Sequence, residues 1–181
     1  MTAHTLPAGA ETGIILHALL EKIDFTSQAD RSAVLKSIEP YLAHHALFPW
    51  RQVLADIVFS ALSTPLLGFS LNGIKERDCY KEAEFLFGGT SSELLKGFVD
   101  LIFRHEGKYY FLDWKSNWLG PDDSYYSPEH LRSAMEANHY FLQAGIYTSS
   151  LKRYLKLVDP RPFEECFGGY FYLFLRGLPA G

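Results

Sequence analysis

The chain has 181 residues, close to the usual size of one domain, so we expect residues 1–181 to form a single domain. Hydrophobic residues make up 48% of the chain and charged residues only 21%, which suits a packed core and excludes a disordered chain. The net charge of −4 argues against a broad basic surface, but it does not exclude a local group of carboxylates.

The cysteine count and the ends of the hydrophobic pattern bound the class of protein further. Cys79 and Cys166 are too few for a four-cysteine zinc or iron–sulfur site, and they are typical of a reduced cytoplasmic protein. No run of 18 apolar residues is present, and Met1–Ala10 lacks a basic segment before an apolar stretch. We therefore expect a cytoplasmic protein without a transmembrane helix or signal peptide.

The hydrophobic pattern changes from a helical to a strand period along the chain. Apolar residues at helical spacing predict helices over Gly13–Ile23, Arg31–Ala46 and Trp50–Leu62. From about Lys81 the period is two, which predicts strands over Glu82–Phe87, Leu94–Arg104, Lys108–Lys115 and, later, Tyr170–Leu175. Glu129–Leu157 is predicted as one long helix bent near Gly145. This order favours an α/β or α+β domain with a mixed sheet.

The second and third strands form a predicted hairpin that brings two carboxylates together. A turn at Glu106-Gly107 pairs His105 with Lys108, and the same register places Asp100 opposite Asp113. Opposed residues have β-carbons about 4.5–5.5 Å apart, and two like charges at that distance repel. A bound divalent cation is the simplest compensation for this repulsion.

The two faces of the hairpin differ in character. Lys115 is two residues after Asp113, so both side chains are expected on the face that also carries Asp100. The opposite face is apolar and is predicted to be buried; it consists of Val99, Leu101, Phe103, Tyr110, Leu112 and Trp114. A solvated hairpin with scattered charge is the alternative interpretation, and this short pattern by itself does not decide against it.

Longer sequence motifs favour the cation-binding hairpin over the solvated one. Asp100 followed by Asp113-Trp114-Lys115 on a hairpin is similar to the pattern of the PD-(D/E)xK nuclease superfamily. The flanking segments resemble the nuclease domain of RecB, the beta subunit of exodeoxyribonuclease V, over about residues 7 to 178. The segments that carry the resemblance are Gly13-x3-His17-x3-Glu21-x2-Asp24-Phe25, Gly97–Leu101, Arg104–Tyr110, Asp113–Gly120, Gln143-x3-Tyr147, Phe167–Gly169 and Tyr172–Gly177.

The resemblance implies a fold, an activity and partners. The fold would be a restriction-endonuclease-like core, in which helices flank a central mixed sheet. The activity would be that of a magnesium-dependent deoxyribonuclease, with manganese as a substitute, in a recombination and repair complex with RecC-like and RecD-like subunits. The substrate would be DNA, as a single strand fed by a helicase. No Walker A pattern is present, so the helicase motor is expected outside this chain.

The chain also departs from the family in three places. Trp114 stands where relatives are expected to have Tyr, and this keeps an aromatic residue on the buried face. The stretch between Phe87 and Leu94 is shorter than in relatives, so a surface insertion is missing. The family continues beyond Arg176-Gly177 into a further segment. We therefore expect the chain to be a fragment of a larger subunit or an excised domain.

By resemblance, four side chains carry the chemistry. Asp100, Asp113 and Lys115 would be catalytic, and His17, Asp100, Asp113 and the backbone carbonyl of Trp114 would hold the metal. Lys115 would orient or deprotonate the attacking water. A hydrogen-bonded helix histidine is the alternative for His17, and a salt bridge is the alternative for Lys115.

Three further residues are expected to support the site or contact DNA. Glu84 resembles the acidic residue that precedes the first motif aspartate, although Glu82 competes for that position and an exposed strand glutamate is the alternative. Gln143 and Tyr147 are four residues apart on one helix face, where the family places residues that contact DNA or support the lysine.

Two other functions compete with a nuclease fed by a helicase. One is a nuclease-like module without catalysis that threads DNA or docks subunits; such a module should have lost one of His17, Asp100, Asp113 or Lys115, and all four are present. The other is an independent single-domain nuclease, which the negative net charge disfavours.

Overall fold

A mixed sheet with helices on both faces organises the chain in a computed structural model that describes residues 1–88 and 94–178. The strands are β1 (Cys79–Gly88), β2 (Leu94–His105), β3 (Lys108–Lys115) and β4 (Phe167–Phe174). The helices are α1 (Ala10–Lys22), α2 (Arg31–Leu42), α3 (Arg51–Ser63), α4 (Pro128–Ala137), α5 (Tyr140–Val158) and α6 (Phe163–Cys166). Among the described residues, no helix is long and apolar enough to cross a membrane.

The strands lie in the order β1-β2-β3-β4. The first three are antiparallel neighbours, and β4 runs parallel to β3 after the crossover through α4, α5 and α6. The predicted α/β architecture with a central mixed sheet is therefore confirmed.

One face of the sheet packs on the three N-terminal helices. Leu101, Phe103, Tyr110, Leu112 and Trp114 lie there in the main core, as predicted. Val99 was predicted on the same face, and that prediction is wrong, because it packs with Phe111 against α5 on the opposite face. The reason is a break in the ladder: Glu82 has a left-handed φ of 48°, and neither Glu82 nor Asp100 is a paired residue in the register of β1 and β2.

The hairpin turn forms as the sequence predicts. Glu106 and Gly107 have φ values of 47° and 76°, the positive angles that a type I′ turn requires. His105 pairs with Lys108, and the register continues to Leu101 and Leu112, where the ladder ends. Asp100 and Asp113 follow directly after this last pair, at the point where β2 and β3 separate.

The predicted single long helix is in fact two helices. The bend is not near Gly145, which lies inside α5; the break falls at Asn138 and His139. Asn138 ends α4 by donating its side-chain amide to the carbonyl of Ala134 at 2.8 Å, and His139 takes a left-handed φ of 56°. The chain changes direction there, so that α5 begins with Tyr140.

Candidate functional site

Asp100 connects α1 with β3 at the end of the hairpin. Its Oδ2 accepts a hydrogen bond from the backbone N–H of Trp114 at 2.7 Å, and its Oδ1 lies 3.2 Å from Nδ1 of His17. The side chain of Asp100 is only 11% exposed. Two of the predicted site residues, His17 and Asp100, are therefore in direct contact although they are distant in sequence.

Helix α1 reaches this position because it packs closely on the segment that follows β3. A β-carbon at Gly13 would lie 2.9 Å from Oγ of Ser116, a distance that real side chains essentially never show. Glycine therefore allows the close approach, and His17 follows one helical turn later, where it faces Asp100.

A buried arginine fixes the segment that leads into α1. Arg176 is 1% exposed and lies just after β4. Its guanidinium donates hydrogen bonds of 2.7–3.0 Å to four backbone carbonyls, those of Ala3, Leu6, Pro7 and Ser116. The N-terminal segment and the loop after β3 are thus joined through one side chain.

Asp113 and Lys115 form a buried ion pair beside Asp100. The Nζ atom of Lys115 lies 2.5 Å from Oδ2 of Asp113, and the two side chains are 9% and 5% exposed, respectively. Burial and the negative charge of Asp100 raise the pKa of Asp113 to about 6, against the opposing effect of Lys115. In the absence of a cation, the site therefore holds more negative charge than its surroundings favour.

The predicted supporting residues Gln143 and Tyr147 reach Lys115 from α5. The Nζ atom of Lys115 donates to Oε1 of Gln143 at 3.0 Å, and Nε2 of Gln143 donates to the hydroxyl of Tyr147 at 2.8 Å. The Tyr147 hydroxyl donates in turn to the carbonyl of Phe98 at 2.7 Å. This chain of hydrogen bonds ties the lysine to β2, two residues from Asp100.

A nitrogen and two carboxylates converge where a metal could bind. Ligand atoms of His17, Glu82 and Asp100 all lie within 4.8 Å of one another. Burial of the His17 ring lowers its pKa, but the hydrogen bond and charge of Asp100, together with the charges of Asp113 and Glu82, outweigh burial and raise that pKa overall. The pKa of Glu82 is raised by burial and by Asp100. Carboxylate donors suit both Mg²⁺ and Mn²⁺, and an imidazole nitrogen suits Mn²⁺ better than Mg²⁺, so the residues present fit a divalent cation.

Glu82, rather than the favoured Glu84, is the glutamate that joins this group. Glu84 is 49% exposed and lies 3.1 Å from Nζ of Lys96, in a surface ion pair. The left-handed backbone at Glu82 interrupts the alternation of side chains along β1. The sequence around Glu82 and Glu84 carries no local signal of such a bend, so both glutamates remained candidates at the level of sequence.

All of the proposed metal ligands, His17 and Asp100 included, stay predictions. Asp113 lies beside the group and is turned toward Lys115. The backbone N–H of Trp114 is used by Asp100, whereas a ligand role for its carbonyl is untested. The aromatic residues that contact Lys115 from α5 and β4, Tyr140 and Tyr172, were not assigned to the lysine from sequence. Tyr140 precedes Gln143 by three residues, and this helical spacing was the available signal.

The comparisons with known proteins identify relatives of one name. No model of a protein family matches the chain. The chain is 37% identical to the RecBCD enzyme subunit RecB of Escherichia coli strain K12, over 98% of its own length and 18% of that subunit. RecB of Haemophilus influenzae is 33% identical, with 96% and 17% of the two chains covered. RecB of Chlamydia pneumoniae is 32% identical, over 83% and 15%.

The alignments also bear on the missing insertion. The comparison with the Escherichia coli protein extends over 210 positions, more than the 181 residues of this chain, so the relative contains residues that this chain lacks. The stretch between Phe87 and Leu94, where a surface insertion was predicted to be absent, includes residues 89–93, which lie outside the described part of the structure.

The chain spans less than a fifth of the length of the curated relatives that it matches, and nearly all of its own sequence is aligned to them. The matching part of those proteins is their C-terminal nuclease domain. The chain therefore belongs to the family of RecB nuclease domains.

Proposed function

We propose that this chain is a magnesium-dependent deoxyribonuclease that hydrolyses phosphodiester bonds, with Mn²⁺ as a substitute for Mg²⁺. The observation that carries the proposal is the meeting of His17, Asp100, Asp113 and Lys115 at one end of the hairpin. Carboxylates and an imidazole can hold a divalent cation that activates water, and a lysine can offset charge on the phosphate, so these groups suit metal-assisted hydrolysis of a phosphodiester. The relatives named RecB support the same activity.

Each residue has a role that follows from its contacts. When bound, the cation would stabilise negative charge on the phosphoryl group and make a water molecule easier to deprotonate. His17, Asp100 and Glu82 would hold it from one side, because their ligand atoms already converge. Asp113 would complete the set from β3, and the carbonyl of Trp114 is a further candidate ligand.

Lys115 would act on the attacking water and the phosphate. Its ammonium is buried beside Asp113 and also donates to Gln143, so the lysine has a second anchor besides the carboxylate. A fixed positive charge in a site of low dielectric constant stabilises a developing negative charge more than the same group in water would. Lys115 would therefore orient the water and offset the charge of the phosphate.

The proposed setting is a RecBCD-type helicase–nuclease. The matched relatives are subunits of an enzyme of that name, and the chain would act there with RecC-like and RecD-like subunits on a DNA strand delivered by a helicase motor. The net charge of −4 agrees with a domain that depends on other parts of such a complex to hold DNA. The cytoplasm, where the chromosome lies, is the compartment that this role requires.

Calorimetry combined with a cleavage assay tests the proposal. We expect the purified chain to bind Mn²⁺ and Mg²⁺ and to degrade linear single-stranded DNA, whereas His17→Ala and Asp100→Asn should lose both properties. Asp56→Asn is the matched control, because Asp56 lies on α3 with a side chain 49% exposed in a surface ion pair. Metal binding without cleavage would indicate a domain whose activity requires its complex. Absence of both from the wild type would favour the inactive docking module.

A further inference from the structure

We propose that Tyr140 is a positioning residue for Lys115, because its ring holds the lysine ammonium in place. This inference rests on the proposed nuclease function, since Lys115 matters for rate only if the site hydrolyses DNA. The Nζ atom of Lys115 lies 3.7 Å from the centroid of the Tyr140 ring. The face of an aromatic ring attracts a cation at this distance, and the attraction is strongest where water is excluded. The side chain of Lys115 is only 9% exposed.

A second ring supports the first. Tyr172, on β4, stacks on Tyr140 with centroids 5.8 Å apart and an interplanar angle of 23°, and its own centroid lies 5.1 Å from Nζ of Lys115. The Tyr172 hydroxyl donates to Oε1 of Gln143 at 3.0 Å, the same oxygen that accepts from Lys115. The ammonium is therefore enclosed between an amide oxygen and two aromatic faces.

Tyr140 is itself held from two directions. Its hydroxyl donates to Oδ1 of Asn117, in the loop after β3, at 3.1 Å. Its backbone begins α5, directly after the left-handed residue His139. The break between α4 and α5 thus sets the position of the ring, and the left-handed backbone of His139 is part of that break.

These contacts give the ammonium anchors that do not depend on Asp113. A lysine ammonium has three N–H donors, and Asp113 and Gln143 each take one. An ammonium held by Asp113 alone would lose its position whenever that carboxylate found another partner. The Tyr140 ring and Gln143 keep the ammonium beside the carboxylate.

Substitutions at Tyr140 separate the ring from its hydroxyl. Tyr140→Leu removes the aromatic face, and we expect kcat on single-stranded DNA to fall by about 10- to 30-fold. The KM for DNA should stay within about twofold, because the effect concerns reaction rather than binding. Tyr140→Phe keeps the face and loses only the bond to Asn117, so it should retain most of the activity. Tyr154→Leu, at an exposed tyrosine on the same helix, is the control and should behave as the wild type.

A second measurement does not depend on activity. NMR relaxation of the Lys115 side chain in the metal-free protein should give a lower order parameter for the Cε position in Tyr140→Leu, and an unchanged value in Tyr140→Phe and Tyr154→Leu. An unchanged order parameter in Tyr140→Leu would overturn the proposal, and so would equal losses of kcat in Tyr140→Leu and Tyr140→Phe. A change confined to KM would overturn it as well and would make Tyr140 a DNA contact. If the wild type neither binds the metal nor cuts DNA, the proposed function fails, while the order parameter still tests the positioning of Lys115.

Discussion

Replacement of Asp113 by Asn should stabilise the metal-free domain at neutral and alkaline pH. Asparagine resembles the protonated carboxyl in shape and carries no charge. In the wild type, burial and Asp100 raise the pKa of Asp113 from its ordinary value of 3.8 to about 6. The protonated form is therefore favoured by folding, and its contribution to stability is complete below the ordinary pKa and is lost as the pH rises through about 6.

The size of the effect follows from the two pKa values of Asp113. The difference between 3.8 and about 6 corresponds to a loss of up to about 3 kcal/mol in the free energy of unfolding of the wild type at pH 8. At pH 5 only about half of that loss has occurred. The advantage of Asp113→Asn over the wild type should therefore be about 1 kcal/mol larger at pH 8 than at pH 5. Any constant effect of the amide on Lys115 cancels in this comparison.

Urea unfolding followed by tryptophan fluorescence measures these free energies. Both proteins would be unfolded in EDTA at pH 5 and pH 8, and then at pH 8 with Mn²⁺. Addition of Mn²⁺ should stabilise the wild type more than Asp113→Asn, because a ligand stabilises the state that binds it. Asp56→Asn, at an exposed surface position, should change stability by less than about 0.5 kcal/mol at either pH. The account of the acidic site would be refuted if, in EDTA, the wild type were at least as stable as Asp113→Asn and the difference between them were the same at pH 5 and pH 8.

Three further predictions concern the metal group and its support. The affinity for Mn²⁺, measured by calorimetry, should rise from pH 6 to pH 8. The pKa values of His17 and Asp113 are raised, so the cation must displace protons from them at the lower pH. An affinity that does not change with pH would contradict this. Glu82→Gln should weaken Mn²⁺ binding about tenfold or more, whereas the matched Glu84→Gln should bind as the wild type; the reverse order would restore Glu84 to the site. Arg176→Met should lower the free energy of unfolding by about 3–5 kcal/mol in urea, since the carbonyls of Ala3, Leu6 and Ser116 lose their side-chain donor, whereas that of Pro7 keeps its bond from Thr12. A loss below about 1 kcal/mol would show that the N-terminal segment does not depend on Arg176.

Much of the site was predictable because its geometry is local. A two-residue turn fixes the register of a hairpin, so the turn at Glu106-Gly107 placed Asp100 and Asp113 at neighbouring positions without knowledge of the rest of the fold. Helical spacing likewise placed Gln143 and Tyr147 on one face of a helix. His17 came only from the resemblance, since no local pattern joins a residue of α1 to β2.

The features that the sequence did not predict depend on single backbone angles. Left-handed conformations are uncommon for residues other than glycine, and those of Glu82 and His139 each redirect the chain. The first turns Glu82 into the metal group and moves Val99 to the other face of the sheet. The second ends α4 and places Tyr140 over Lys115. Tertiary contacts maintain these angles, so neither composition nor periodicity indicates them.

The most direct test of the central claim is degradation of linear single-stranded DNA by the purified chain in Mg²⁺ or Mn²⁺, with Asp113→Asn measured in parallel. We expect the wild type to degrade the DNA only when the metal is present, and the variant to be inactive while it remains folded. Equal cutting by the two proteins, or cutting by the wild type in EDTA, would contradict a metal-dependent nuclease site at Asp100, Asp113 and Lys115.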